Sequence, residues 1–347
     1  MAGSGDMTDL KALLAEVASG RSLTEQEAET AFDIIMSGNA TPSQMGGFLM
    51  ALRVRGETVP EITGAARSIR GRMVSLHAPE GAIDTCGTGG DAKGTHNIST
   101  AASFIVAACG VPVAKHGNRA LSSRSGAADV LTALGVNIDC PLPLVQRSLD
   151  EIGLAFLMAP RFHAAWRHVG PTRVELGTRT VFNLLGPICN PARVRRQLIG
   201  VFDAAWLVPI AEALGELGHQ RAWVVHGLAG LDEITSAADT LVAELRDGRV
   251  SQFTLRPEDL DLPRCSLEDL KGGDATVNAA ALRALLHGRK GPLRDTVLMT
   301  SAAALLIADK VDDLREGLAL AAEAIDGGAA LGKLDALAAL TNEAPAQ

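Results

Sequence analysis

From Ile83 onward the chain alternates short β-branched runs, glycine-rich loops and helical stretches, and this alternation leaves few folds open. The runs are Ile83-Asp84-Thr85, Val111 to Lys115, Leu154 to Met158, Leu198 to Phe202 and Ala222 to His226. Helical spacing covers Thr100 to Cys109, Ala127 to Leu134, Val145 to Ile152 and Trp206 to Leu217 between them. Strand, crossover helix, strand is the pattern of a mostly parallel central sheet flanked by helices, an α/β fold. Leu241 to Leu245, the turn Asp247-Gly248 and Val250 to Thr254 predict a hairpin inserted beside that sheet. Helix returns in the alanine-rich C-terminal stretch, most strongly over Val277 to Leu286 and Val297 to Ile307.

Before Ile83 the pattern is helical only. Leu10, Leu13, Leu14 and Val17 recur at helical spacing after Thr8-Asp9. Thr24 and Glu27 form a capping box for a helix that stops near Gly38. Thr41, Pro42 and Gln44 open a third helix, carrying Met45, Phe48, Leu49 and Leu52 to Gly56. A fourth runs from Pro60 through Ile62, Ala66 and Ile69. Four helices this short make a poor core alone, so they are expected to pack on something else. A length of 347 residues fits two domains. The expected division is a disordered lead-in at 1–6 with Met7 as a candidate start, a small all-helical domain at 7–75 joined by helices near 160–178, and a larger α/β domain at 76–347.

Composition narrows the function classes. Hydrophobic residues at 47% and charged residues at 21% exclude wholesale disorder. Aromatics at 3%, with no tyrosine, remove the stacking platforms that single-stranded nucleic acid needs. A formal charge of −8 opposes a general polyanion binder, so no nucleic-acid partner is expected and any phosphate must be held locally. Apolar stretches such as Ala101 to Val113 are too short and glycine-interrupted to span a membrane, and no signal peptide is visible. Cys86, Cys109, Cys140, Cys189 and Cys265 are scattered without a C-x-x-C pair, which supports neither zinc nor disulfides and fits a reducing cytoplasm.

Ligands of open α/β sheets gather at the carboxyl ends of strands, so the loops there carry the chemistry. The first is Gly87-Thr88-Gly89-Gly90-Asp91, whose glycines let backbone N–H groups approach an anion. By itself such a stretch reads as a tight turn; it is neither a P-loop nor a dinucleotide fingerprint. Asn97-Ile98-Ser99-Thr100 then opens a helix where free N–H groups and hydroxyls suit phosphate oxygens. A second cradle follows in Lys115-His116-Gly117-Asn118-Arg119 and Ser122-Ser123-Arg124-Ser125-Gly126. Two cradles on consecutive strands outweigh the alternative of a solvated basic loop.

With Arg179-Thr180-Val181-Phe182-Asn183-Leu184-Leu185-Gly186-Pro187 and Gly230-Leu231-Asp232-Glu233, these motifs stand in the order found in one family. From Leu10 to Leu340 the chain resembles the anthranilate phosphoribosyltransferases of tryptophan biosynthesis. The resemblance implies a fold of the nucleoside phosphorylase and phosphoribosyltransferase class, similar to pyrimidine nucleoside phosphorylases, and a homodimer formed through the helical part. It also implies a transferase using about two Mg²⁺ per active site. Carried over, Gly87, Gly90, Asp91 and Thr95 wrap the ribose diphosphate, and Asn97, Ile98, Ser99 and Thr100 hold the pyrophosphate. Lys115, His116, Gly117, Asn118, Arg119, Ala120, Leu121, Ser122 and Ser123 hold the phosphates, with Ala127 close by. Gly87, Asn118 and Arg173 match positions that contact anthranilate, and Ser99, Asp232 and Glu233 match the metal site. The chain departs from the family at Lys93-Gly94, His96, Ala120, Val174 and Ala164-Ala165-Trp166.

The residues fit such a reaction. Loss of pyrophosphate from C1′ gathers negative charge on the leaving group, which makes electrostatic stabilisation the main demand. Mg²⁺ takes hard oxygen ligands, and adjacent carboxylates in a loop supply them. An aromatic amine is neutral at cytoplasmic pH and needs positioning more than deprotonation, so no catalytic dyad is assigned. Arg173 suits a planar carboxylate; otherwise it would pair with Glu175 or Asp150. His116 and His163 orient either loops or the amine. Two other classes share the architecture: a non-catalytic nucleic-acid-binding relative and a pyrimidine nucleoside phosphorylase.

Overall fold

The computed structural model describes residues 9–120 and 124–344; the lead-in expected at 1–6 lies outside them. Four helices come first: α1 (Leu10–Ala18), α2 (Glu25–Met36), α3 (Pro42–Arg55) and α4 (Val59–Arg72). The capping boxes of Thr24 with Glu27 and Thr41 with Gln44 both form. The fourth helix starts one residue before Pro60, with Thr58 as its N-cap.

The α/β part runs β1 (Ile83–Gly87), α5 (Ile98–Ala108), β2 (Val113–Gly117), α6 (Ala127–Ala133), α7 (Leu142–Arg147), β3 (Leu154–Met158), α8 (Ala159–Phe162), α9 (Gly170–Leu176) and α10 (Phe182–Ile188). It continues with β4 (Arg196–Gly200), α11 (Leu207–Glu216), β5 (Arg221–Gly227), β6 (Thr240–Arg246), β7 (Arg249–Leu255), α12 (Ala275–Leu286), α13 (Pro292–Ile307), α14 (Leu314–Asp326) and α15 (Ala329–Thr341). One seven-stranded sheet forms in the order β3-β2-β1-β4-β5-β6-β7. Its first five strands are parallel. The expected hairpin is not inserted beside the sheet: β6 pairs antiparallel with β5 and extends it to an edge at β7.

Several boundaries differ from the sequence reading. The strand expected at Val111 to Lys115 is Val113–Gly117, and the one expected at Leu198 to Phe202 is Arg196–Gly200. In both cases pairing to the neighbouring strand, which periodicity does not encode, sets the register. The helix expected over Val145 to Ile152 begins at Leu142 and widens into a π turn at Ser148–Ile152.

The sheet separates two cores. Leu198, Trp223 and Val225 face one, which is closed by α5 and α12 to α15. Ile199, Val201, Ala222 and Val224 face the other, which contains α1 to α4, Phe182 of α10 and Ile210 of α11. The small helices therefore do pack on something else, and their core is continuous with one face of the sheet. Strand order reverses between β1 and β4, which opens a crevice at their carboxyl ends. No helix among the described residues is long and apolar enough to cross a membrane.

Candidate active site

The crevice holds a cavity of about 300 Å³. Its first wall is the loop after β1, held by three hydrogen bonds. Thr88 N donates to Gly200 O at 2.9 Å, Phe202 N donates to Thr88 Oγ1 at 3.1 Å, and Gly89 N donates to Asp232 Oδ2 at 2.6 Å. Arg179 adds a fourth by donating to Gly90 O, with its guanidinium 4.2 Å from the centre of the Phe202 ring. Glycine is required where the Asp232 loop crosses the strands. A Cβ on Gly87 would stand 2.5 Å from Asp232 Oδ2, and one on Gly200 would stand 1.6 Å from Asp232 O.

Opposite lie the start of α5 and the end of β2. Lys115 is almost wholly buried, and its ammonium donates to Thr85 O and, at 3.3 Å, to Ser99 Oγ. Ser99 N donates to Glu233 Oε1 at 3.3 Å, so both cradles meet the acidic pair at Ser99. Burial, reinforced by Asp91, pushes the Asp232 carboxyl up to about 7; burial and then Asp232 push Glu233 up to about 8. Neither carboxylate has an ion-pair partner among the described residues. No three His, Cys, Asp or Glu side chains there gather into a metal cluster. A buried and a partly buried carboxylate, neither with an ion-pair partner among the described residues, beside a hydroxyl fit Mg²⁺, which commonly takes few protein ligands and completes its shell with water and phosphate oxygens.

Beneath the cradle, Asp84 is fully buried and accepts from His116 N at 3.1 Å, Asn190 Nδ2 at 2.8 Å and Gln197 Nε2 at 3.2 Å. This network ties β2 and the segment after α10 to β1 and β4. His116 Nδ1 lies 3.1 Å from Gly186 O, an acceptor, so the ring proton belongs on Nδ1 and Nε2 keeps a lone pair. Nε2 has no partner, and burial lowers the imidazole to about 3. The His163 ring lies 5.1 Å away, then Trp166 at 5.6 Å from His163 and Phe182 at 5.5 Å from Trp166.

The cavity brings together all the described residues expected to hold the diphosphate or metal, except Ile98. The Ile98 side chain is fully buried in the core, which leaves its peptide as its only route to a ligand. Leu121, Ser122 and Ser123 lie outside the described residues. Arg173 does not line the cavity. Its guanidinium sits 5.5 Å from the Trp166 ring and 5.3 Å from the Phe182 ring, and it makes no ion pair with Glu175, Asp150 or any other described carboxylate. Sequence reasoning gave no role to Asn183, which lines the cavity, although it stands inside the quoted Arg179 to Pro187 motif. It also missed Asp84 and Gln197, for which single strand residues give no signal.

Comparison with known proteins agrees with this fold. Residues 79–331 match the glycosyl transferase family a/b domain, and residues 11–73 match its helical bundle domain. The chain therefore belongs to that glycosyl transferase family. Within it, the chain is 62% identical over 338 residues to the anthranilate phosphoribosyltransferase of Azospirillum brasilense, covering 97% of this chain and 95% of that one. It is 61% identical to the Rhodospirillum rubrum anthranilate phosphoribosyltransferase, covering 93% of each. The crystal structure of the Thermus thermophilus enzyme superposes with a TM-score of 0.91 at 44% identity, covering 95% of this chain and 99% of that one. The Saccharomyces cerevisiae enzyme in complex with PRPP and Mg superposes at 0.88 with 27% identity, covering 96% and 99%. Within the larger family, the chain is a member of the anthranilate phosphoribosyltransferases.

Proposed function

We propose that this chain transfers the phosphoribosyl group of 5-phospho-α-D-ribose 1-diphosphate to the amine of anthranilate, releasing pyrophosphate, at the cavity between β1, β2 and β4. One observation carries the assignment: the Asp232 and Glu233 carboxylates line a single cavity with the Lys115 and Ser99 cradle, which Glu233 meets at Ser99. The cation and hydroxyl suit the diphosphate, and the carboxylates, which have no ion-pair partner among the described residues, suit its metal. Gly87, Gly90, Asp91 and Thr95 wrap the ribose diphosphate, Asn97 to Thr100 hold its pyrophosphate, and Lys115 acts on it as a point charge. Magnesium held by Asp232, Glu233 and Ser99, about two ions per site, would neutralise the charge gathering on the leaving pyrophosphate. His116 Nε2 offers the anthranilate amine an acceptor, Asn118 stands between the two substrates, and Arg173 takes the carboxylate.

Domain boundaries follow the same reading: a helical domain at 7–75, with the segment near 160–178 packed on it, and an α/β domain at 76–347. The contacts between α3 and α9 support that junction. Val54 on α3 and Val174 on α9 are each more than four-fifths exposed, apolar positions that suit a homodimer formed through the helical part. The product's place in tryptophan biosynthesis and a cytoplasmic location complete the assignment.

Initial rates with anthranilate, phosphoribosyl diphosphate and Mg²⁺, set against thymidine with phosphate, test it. Activity only with the second pair would mean a nucleoside phosphorylase. A Mg²⁺ titration of the double variant Asp232→Asn, Glu233→Gln tests the metal site. Activity should fall at low Mg²⁺ and recover in part at excess, because substrate oxygens remain as ligands. Curves superimposable on the wild type would remove the pair from the site.

A further inference from the structure

We infer that Asn278 is a positioning residue for the transfer: it draws the Asn97 oxygen off the N-terminus of α5 and turns the Asn97 NH2 toward the cavity, so that helix and amide are both open to the diphosphate. This rests on the reading of Asn97 to Thr100 as pyrophosphate ligands. Asn278 stands at the fourth position of α12, is 2% exposed and does not line the cavity. Its Oδ1 accepts from Gly273 N at 2.8 Å, and its Nδ2 donates to Asn97 Oδ1 at 2.9 Å. Asn97 Nδ2 in turn donates to Ser125 O at 3.3 Å. A backbone N–H stands at one end of this relay and a backbone carbonyl at the other. Neither amide can turn over without setting like groups against each other, so the direction of the relay is fixed.

Asn97 is the N-cap residue of α5. An Asn there ordinarily accepts from the amide two or three residues on, which in this helix is Ser99 N or Thr100 N. It makes no such bond, and its oxygen is held by Asn278 instead. A capping oxygen would compete with phosphate oxygens for these amides, so its removal leaves the helix start to an anion. Asn97 and Ser125 both line the cavity. Ser125 O takes one of the two Nδ2 hydrogens of Asn97, which leaves the other for a ligand. The far end of the relay is fixed by backbone: Gly272 N donates to Gly94 O at 2.8 Å and His96 N to Leu270 O at 3.0 Å. A Cβ on Gly272 would stand 2.6 Å from Asn278 Oδ1, so the segment before α12 lies tight against the amide.

A role confined to holding the turn before α12 makes a different prediction. Asn278→Asp keeps the acceptor for Gly273 N but has no hydrogen to give Asn97, whose amide then turns over and presents its oxygen to the cavity. The variant also adds a charge, so its effect is read against Asn97→Ala. Calorimetric titration with phosphoribosyl diphosphate and Mg²⁺, without anthranilate, on the wild type, both single variants and the double variant closes a thermodynamic cycle. Asn278→Asp and Asn97→Ala should each weaken binding about tenfold, and the double variant should stay within about twofold of Asn97→Ala. Wild-type affinity in Asn278→Asp, or a loss that persists in full when Asn97 is already Ala, overturns the positioning role and leaves the pyrophosphate reading standing. Unchanged affinity in Asn97→Ala alone removes Asn97 from the diphosphate ligands, and the role of Asn278 falls with it. Asn278→Ala, which adds no charge, enters the same cycle with the same expected outcome if thermal melts show that Asn278→Asp does not fold.

Discussion

Arg173 holds a positive charge against two aromatic rings, with no carboxylate paired to it among the described residues. Burial disfavours its charged form, and the faces of Trp166 and Phe182 compensate only in part. A cation in this state gains a great deal from a planar anion, and the proposed function gives it the carboxylate of the aromatic acceptor. Arg173→Ala should therefore raise the KM for anthranilate by the equivalent of about 2–5 kcal/mol and leave that for phosphoribosyl diphosphate nearly unchanged. Steady-state kinetics varying each substrate would measure this; equal losses for both, in a folded protein, would contradict it. The Arg173 position was legible through the order of motifs around it. Its two rings were not, because Trp166 and Phe182 belong to separate helical turns that only the tertiary fold brings together.

Among the elements, the strand-end loops were the most legible in sequence. Gly87 to Asp91, Asn97 to Thr100 and Lys115 to Ala120 all reach one cavity, since each glycine or hydroxyl cluster directly follows a strand or opens a helix. What sequence left hidden are the ties between loops: Asp84 under β2, Arg179 on Gly90 and the Asp232 loop over Gly200. Each links residues far apart in the chain, and neither helical nor strand periodicity records such a contact. Gly200 shows the cost of missing one. It reads as an ordinary strand residue, yet its missing side chain is what lets the Asp232 loop cross β4 and reach the cavity. Gly200→Ala should destabilise the fold by about 1–3 kcal/mol and raise the Mg²⁺ concentration needed for half-maximal rate. Denaturant unfolding with a Mg²⁺ titration checks both. Wild-type Mg²⁺ dependence would mean the Asp232 loop is not held by this contact.

Across the whole molecule, three histidines are buried in neutral form. Burial lowers His116 and His219 to about 3 and His163 to about 4 from an ordinary 6.5. Below about pH 6.5 the unfolded chain takes up protons on these rings that the native state does not, so stability is lost as the pH falls toward those values. Asp232 and Glu233, raised to about 7 and about 8, work in the opposite direction when no metal neutralises them, so a variant gives a cleaner test than the wild type alone. His219, which meets Gln197 Oε1 at 2.9 Å, lies away from the cavity. Relative to wild type, His219→Gln should gain about 1.4 kcal/mol per pH unit between pH 6.5 and 4.5, whatever its offset at pH 7. Denaturant unfolding at several pH values reads that slope, and a constant difference would mean that His219 is charged in the native protein. The continuous core under the small helices also bears on how the chain is made. The surfaces that cover α1 to α4, among them Phe182, Ile199 and Ile210, leave the ribosome long after α4. At about 5–20 residues per second the delay from α4 to Ile210 is roughly 7 to 30 seconds. For that time Phe48, Leu49 and Ile62 have no complete core to enter, so the nascent bundle is a client for chaperones, and a chain released early would aggregate before it could fold.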